Sequence, residues 1–426
     1  MLIFVNQISE RLLYTMNFVF KDRGVNFEIT NDPLFFQEEQ GFKLNYSSNN
    51  FEGIPQIKPC KLLFDQPLIR YEIQKAIFLE EECFSFDDCT DPFASIFFVL
   101  SRMEEYQATK KDKLGRFEGK NSLLYKFGWH EKVVCDRWSL DILNFLKSHY
   151  SNFEFICQLP FVAMPTFDID NTYAYKNKGF VRTTLAILKD FFLGRTRRLI
   201  ERQKVQAGLM KDPYDTFQII EETADKFPNT RVFWLLGDFA KLDKSIHHTN
   251  KRQRNLIKRL NQKIEIGIHP SVKSNSYDFF LHNEIERLEA ILGKRVFTSR
   301  QHFLMLQFPE TYRILKGQEI KEDFTMGFAD IVGFRAGTAR PFFWFDLHKN
   351  ECTKLLIHPF TYMDGTLNEY MQLTVEEAKE KVQSLVQEVK TYGGEFSFIW
   401  HNETIGNYGT WKRWDEVFKF TLEEIL

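Results

Sequence analysis

At 426 residues the chain exceeds one compact core of ordinary size, so two domains are expected, one of them large enough for a β/α barrel. Hydrophobic residues make up 43% and charged residues 27%, the mix of a soluble globular protein, and a formal net charge of −2 argues against a general nucleic-acid binder. No run approaches the ~20 apolar residues needed to span a bilayer.

Aromatic residues reach 16%, chiefly through 45 Phe, and a Phe-rich core is expected rather than a sugar-stacking surface. The opening Met1–Glu10 lacks a basic n-region and meets Glu10 and Arg11 too early for a signal segment. Cys60, Cys83, Cys89, Cys135, Cys157 and Cys352 form no C-x-x-C pair, so packing cysteines in a reduced, cytoplasmic chain are expected, without a Cys-based zinc site.

Residues 1–158 read as a mixed α/β domain. Asp91-Pro92 can start a helix whose apolar positions Phe93, Ile96, Phe97, Leu100 and Met103 recur at helical spacing, and Trp138–Tyr150 repeats the pattern. Glu80–Asp91, acidic and aromatic, reads as a solvated loop. Residues 159–426 change texture. Short apolar runs (161–167, 232–236, 264–268, 296–303, 355–360 and 396–400) alternate with helical patterns (216–226, 251–262, 277–292, 308–316, 375–392 and 411–426), as parallel strands covered by helices do. Residues 320–345 suggest one or two strands with long loops. The basic stretch 182–211 could touch an acidic partner or a membrane surface; its Leu185, Ile187, Leu188, Phe191, Phe192 and Leu193 favour a helix covering the barrel.

The unusual polar residues fall at the carboxyl ends of these strands, where β/α barrels and open α/β sheets bind ligands. Asp168 and Asp170 follow the first run, His269 the third, and Arg300 and His302 close the fourth. Arg335 follows a fifth, His358 closes another, and His401-Asn402-Glu403 follows the last. Asp-x-Asp at a strand end offers one carboxylate to a divalent metal and one as a base, although an Asx pair capping the next helix has the same appearance. Arg335 could clasp a sugar hydroxyl or carboxylate, or form a salt bridge between strands. His358 could bind substrate or cap a buried strand end.

Thr166-Phe-Asp-Ile-Asp170, Glu265-Ile-Gly-Ile-His-Pro-Ser271, Arg300-Gln-His-Phe-Leu304 and Phe396-Ser-Phe-Ile-Trp-His401 stand in the order of the motifs of the polysaccharide deacetylases, the NodB-homology or carbohydrate esterase family 4 proteins, and resemble them over roughly residues 160–405. Asp91–Tyr106, Gly115-Arg-Phe117, Gly333-Phe-Arg-Ala-Gly337 and Met363-Asp-Gly365 resemble a bacterial subgroup with an extra leading domain. The resemblance implies a distorted seven- or eight-stranded β/α barrel preceded by the smaller α/β domain. It implies Asp168 as catalytic base, Arg300 orienting it, His401 as general acid, and Asp170 and His269 as ligands of a divalent metal, zinc first with cobalt or nickel as alternatives. The family's second motif carries two histidines four residues apart, whereas Lys273 stands four after His269. A cationic lysine cannot replace a neutral imidazole without a large pKa shift. Either His302 supplies that ligand from the next strand, or no physiological metal binds.

The implied reaction is hydrolysis of an N-acetyl or related acyl group on an amino sugar, oligosaccharide or polysaccharide precursor, with Trp344 and Trp400 stacking on sugar faces. A barrel that has lost catalysis and binds glycan or a partner is the alternative. A two-carboxylate glycosidase would have to draw on Glu403 and Asp364.

Overall fold

The computed structural model describes residues 1–64 and 68–426. Among the described residues six strands lie in the leading segment: β1 (Leu2–Val5), β2 (Glu28–Thr30), β3 (Lys43–Tyr46), β4 (Ile73–Phe78), β5 (Glu81–Phe86) and β6 (Cys89–Thr90). They form a parallel sheet ordered β2-β1-β3 and an antiparallel one ordered β4-β5-β6. The helix expected at Asp91-Pro92 spans Pro92–Leu100. Asp91 accepts the Ala94 amide at 3.0 Å, Pro92 occupies the first turn where no N–H is needed, and all nine helical residues are buried.

The stretch Glu80–Asp91 is not the solvated loop its charges suggest. Glu81–Phe86 is a strand that sends Cys83, Phe84 and Phe86 inward while Glu82 stays outside, and the Trp138 indole donates to the Glu82 carbonyl at 2.7 Å. The acidic residues cluster at the start of the strand, and the Cys83–Phe86 run that follows is buried on both faces, so its burial outweighed the local acidity. Phe84 packs against Phe86, Phe98, Phe127, Trp129 and Trp138, so much of the phenylalanine content is core.

The remaining strands are β7 (Phe161–Ile169), β8 (Arg231–Trp234), β9 (Glu265–Ile268), β10 (Thr298–Ser299), β11 (Glu322–Asp323), β12 (Phe342–Asp346), β13 (Glu351–Ile357), β14 (Tyr362–Met363) and β15 (Gly394–His401). They build one sheet ordered β12-β13-β11-β10-β9-β8-β7-β15-β14, parallel throughout except for β12, which pairs antiparallel with β13. Helices Phe217–Lys226, Lys251–Leu260, Asp278–Leu292, Glu310–Gly317, Val375–Tyr392 and Trp414–Glu424 alternate with these strands, each close to its expected place. Residues 320–345 hold the two short strands β11 and β12. No ladder joins β12 or β13 to β14 among the described residues, but the sheet curls around a shared interior. Arg300, just past β10, lies against the rings of Phe233 after β8's start, Phe324 after β11 and Phe360 before β14.

The leading segment docks firmly on this sheet. Glu105 forms a buried bidentate pair with Arg335 (2.9 and 2.5 Å), and Asp136 pairs with Arg340 at 2.6 Å. Gly333 has φ 115°, and a Cβ there would come within 2.1 Å of the His130 carbonyl, so only glycine permits the approach.

Candidate functional site

Strand pleating sets the site. Thr166 and Asp168 share the interior face of β7, and Asp170, two residues on, keeps the same parity, while Phe167 and Ile169 face the covering helices. β15 runs parallel to β7 with His401 opposite Asp168. The inner rims of two neighbouring strands thus bring a carboxylate and an imidazole together at the carboxyl edge of the sheet.

Three donors converge beside them. His269 Nε2 lies 3.2 Å from Asp170 Oδ1, His302 Nε2 lies 3.2 Å from Asp170 Oδ2, and donor atoms of the three residues all fall within 4.8 Å of one another. Ligands of a tetrahedral zinc ion at ~2.0–2.1 Å stand about 3.3 Å apart, so these spacings suit a common ion. The tautomers suit it too. His269 Nδ1 donates to the Arg300 carbonyl at 2.6 Å, and His302 Nδ1 donates to Asp243 Oδ1 at 2.8 Å, which turns both Nε2 lone pairs inward. His269 Nε2 and Asp170 Oδ1 are buried without a hydrogen-bond partner. An ion would satisfy both.

Electrostatics follow from this crowding. Burial alone would raise Asp170, but the His302 charge, with His269 and His401 close by, holds it well below the usual carboxylate range. Burial would lower His302, yet Asp170 and Asp243 push it up to about 9 when no ion competes for Nε2.

Asp168 is held separately. The buried Arg300 guanidinium donates through Nη1 to Asp168 Oδ1 (2.9 Å) and Thr166 Oγ1 (2.8 Å), and through Nε to the Phe324 carbonyl (2.9 Å). Asp168 Oδ2 lies 3.7 Å from His269 Nε2, at the edge of the donor cluster. On the other side, His401 Nδ1 donates to Asp364 Oδ1 at 2.9 Å, and Asp364 also takes the His401 amide (2.9 Å) and the Thr404 hydroxyl (2.5 Å). Burial would lower His401, but Asp364, then Asp170 and Asp168, outweigh it and hold the ring well above its ordinary pKa. Its Nε2 lies 3.7 Å from Asp170. The cleft over these groups, about 390 Å³, is also lined by Arg116, Tyr214, Phe303, Leu304, Glu369, Tyr370 and Trp411.

Residues 1–151 match a family of unknown function (DUF7033). Among curated proteins none matches the chain. Among solved structures, a putative polysaccharide deacetylase from Mycobacterium smegmatis is similar at 14% identity and TM-score 0.39, over 61% of this chain and 84% of that one. A polysaccharide deacetylase from Bacillus cereus is similar at 11% identity and TM-score 0.29, over 62% of this chain and 86% of that one. Both likenesses are partial, and the geometry of the cleft carries the functional reading.

Asp168, Asp170, His269, Arg300, His302 and His401 come together, whereas four residues expected to bind substrate do not reach the cleft. Arg335 is consumed by Glu105 and the Gly327 carbonyl. His358 is stacked on Phe324 (ring centroids 4.3 Å apart) and wedged between Glu395 (2.7 Å) and Glu322 (3.6 Å). Trp400 has the opposite parity to His401 on β15, so its fully buried indole faces outward onto Phe418. Trp344 is buried on β12 against Tyr312. Lys273 is exposed and lies over the Phe280 ring, away from the donor cluster.

Sequence reasoning missed three contributors. Asp243, in the loop after β8, is buried behind His302 and accepts the Val272 amide at 3.2 Å; Leu-Asp-Lys-Ser carries no signal of that burial. Asp364 appeared only as a glycosidase carboxylate, yet it is committed to His401. Arg116, inside the quoted Gly-Arg-Phe triplet, reaches from the leading segment to the cleft. It donates to the Phe303 carbonyl at 2.8 Å and the Tyr370 hydroxyl at 3.0 Å. Phe303 and Leu304 both hold φ near 55°, a costly conformation for residues with side chains, so Arg116 braces the strained turn that carries His302.

Proposed function

We propose that the chain is a metal-dependent hydrolase that removes an N-acetyl or related acyl group from an amino sugar or a saccharide precursor. The observation that carries the reading is the donor cluster of Asp170, His269 and His302 standing between two differently supported proton carriers, Asp168 and His401. Asp170, His269 and His302 would hold the ion, with a fourth position open toward the cleft. When bound, such an ion lowers the pKa of water toward ~7 and polarises the attacked carbonyl.

The protein's own groups supply the proton transfers. Asp168, fixed by Arg300, takes a proton from the attacking water on its free Oδ2 side. His401, kept protonated by Asp364, gives a proton from Nε2 to the leaving nitrogen. Asp364, hydrogen-bonded to Nδ1 behind the ring, returns it to the same tautomer. Arg116 and Tyr214 line the walls where sugar hydroxyls would sit.

Lys273 at the family's second histidine position is what leaves a barrel without catalysis as the alternative, and His302 at 3.2 Å from Asp170 supports the hydrolase over it. Asp364, tied to His401 and Thr404, is unsuited to act as a glycosidase carboxylate. The test is acetate release from acetylated amino sugars by protein loaded with zinc, cobalt or nickel, compared with Asp168→Asn. Turnover that disappears in Asp168→Asn supports the reading. Absence of turnover with every metal across a panel of N-acyl amino sugars overturns it.

A further inference from the structure

Helices Phe180–Phe192 and Thr196–Gln206 form a hairpin whose amphipathicity is inverted relative to a covering helix. Phe180, Val181, Leu185, Leu188, Phe191 and Phe192 share one side of the first helix, and that side faces solvent: Phe180 is 85% exposed and Phe192 80%. The expectation that these residues cover the barrel is therefore not met. The helix is held by its polar side. Arg182 donates to the carbonyls of Ser245 (3.0 Å) and Lys244 (2.7 Å), and Asp190 is buried against Arg202 at 2.8 Å. Ile200 and Leu209 extend the apolar exposure beyond the first helix.

Charge identifies what covers this face. Residues 176–211 hold ten Lys and Arg against two Asp and Glu, in a chain whose formal net charge is −2. Both acids are spent locally, Asp190 on Arg202 and Glu201 on Arg197. Lys189 and Lys204 are exposed cations beside the apolar side, and the exposed Arg195 and Arg198 reach only the same Asp190, at 3.8 and 4.0 Å, so the hairpin keeps a surplus of positive charge. Two copies of such a face would repel each other, whereas an anionic lipid surface complements both its apolar side chains and its charge.

We propose that the hairpin docks the protein on an anionic membrane surface. The hairpin also walls a cavity of about 720 Å³ that adjoins the candidate metal site. Arg197 and Arg198 line it from the hairpin, Lys178 and Lys241 from the neighbouring loops, and Asp170 and His302 from the donor cluster. Docking through the hairpin therefore brings the cleft's side entrance to the headgroup layer. On the hydrolase reading above, the substrate so served is an amino sugar carried by a membrane lipid. That consequence rests on the reading; the docking does not.

Vesicle flotation of the full chain tests it without any turnover. Vesicles of phosphatidylcholine and phosphatidylglycerol at about 7:3 should carry the wild type, pure phosphatidylcholine should carry far less, and raised salt should release it. The combined variant Phe180→Ser, Phe191→Ser, Phe192→Ser should lose at least about tenfold in binding while keeping its circular dichroism spectrum and Tm. Should that variant fold poorly, Lys189→Gln with Lys204→Gln, which leaves the apolar side intact, should weaken binding to the anionic vesicles alone. Flotation that is absent in the wild type, or equal in both variants and wild type, overturns the proposal. So does a wild-type dimer that the triple variant converts to monomer, because a second copy then covers the face.

Discussion

Asp243 makes no contact with the space an ion would occupy, yet the site depends on it. Its Oδ1 receives His302 Nδ1–H at 2.8 Å and the Val272 amide at 3.2 Å, with the side chain buried. Asp243→Asn keeps the shape and an acceptor oxygen, so the hydrogen bonds can persist. What it removes is the charge that fixes the His302 tautomer and enriches Nε2. Loss of such an outer carboxylate costs roughly 10–100-fold in metal affinity, about 1.4–2.7 kcal/mol. His302→Ala, which deletes the donor itself, should cost more than Asp243→Asn. The assay is competition for zinc against a chromophoric chelator at neutral pH, with circular dichroism confirming that each variant is folded. An Asp243→Asn affinity equal to wild type would refute the reasoning, since His302 would then not be a ligand held by Asp243. An effect as large as that of His302→Ala would refute it too, because the variant would have displaced the ring rather than weakened it.

Lys273→Ala should leave zinc affinity unchanged within error in the same assay, because the side chain lies over Phe280 and away from the donors. His401→Gln should lower kcat by roughly 10²–10⁴ while metal affinity stays near wild type, as expected for a proton donor that is not a ligand. His358 should give stability its own pH dependence. Burial would lower its pKa, but Glu322 and Glu395 push it up to about 9, above its ordinary 6.5. A raised folded pKa means that its stabilisation is full below about pH 6.5 and is lost as pH rises through about 9, roughly 3 kcal/mol in all. Thermal melts from pH 6 to 10 should therefore fall more steeply for wild type than for His358→Gln; parallel curves would contradict this.

Much of the candidate site was legible because pleating and strand ends obey simple rules. Asp168 and Asp170 are two residues apart and must share a face; His269, Arg300 and His401 end apolar runs. The same parity rule, applied to β15, separates Trp400 from His401 and would have removed the tryptophan from the cleft. Motif spacing shows Lys273 where a second imidazole belongs, and the imidazole that stands beside Asp170 is His302, just past β10, one of the two outcomes the sequence left open. Asp243 and Arg116 were hidden for a different reason. Each acts across the fold, Asp243 onto a neighbouring strand end and Arg116 from the leading segment onto a strained turn, and local sequence carries no trace of such contacts. The hairpin shows the limit of periodicity: an amphipathic pattern gives two faces but not which one meets solvent.

The central claim is that His302 completes a metal centre with Asp170 and His269. Zinc K-edge absorption on zinc-loaded protein, wild type against His302→Ala, tests it most directly. The account predicts one zinc per chain with two imidazole nitrogens and oxygen ligands at about 2.0–2.1 Å, and loss of one imidazole in the variant. A spectrum unchanged by His302→Ala, or a wild type that retains no zinc, would contradict it.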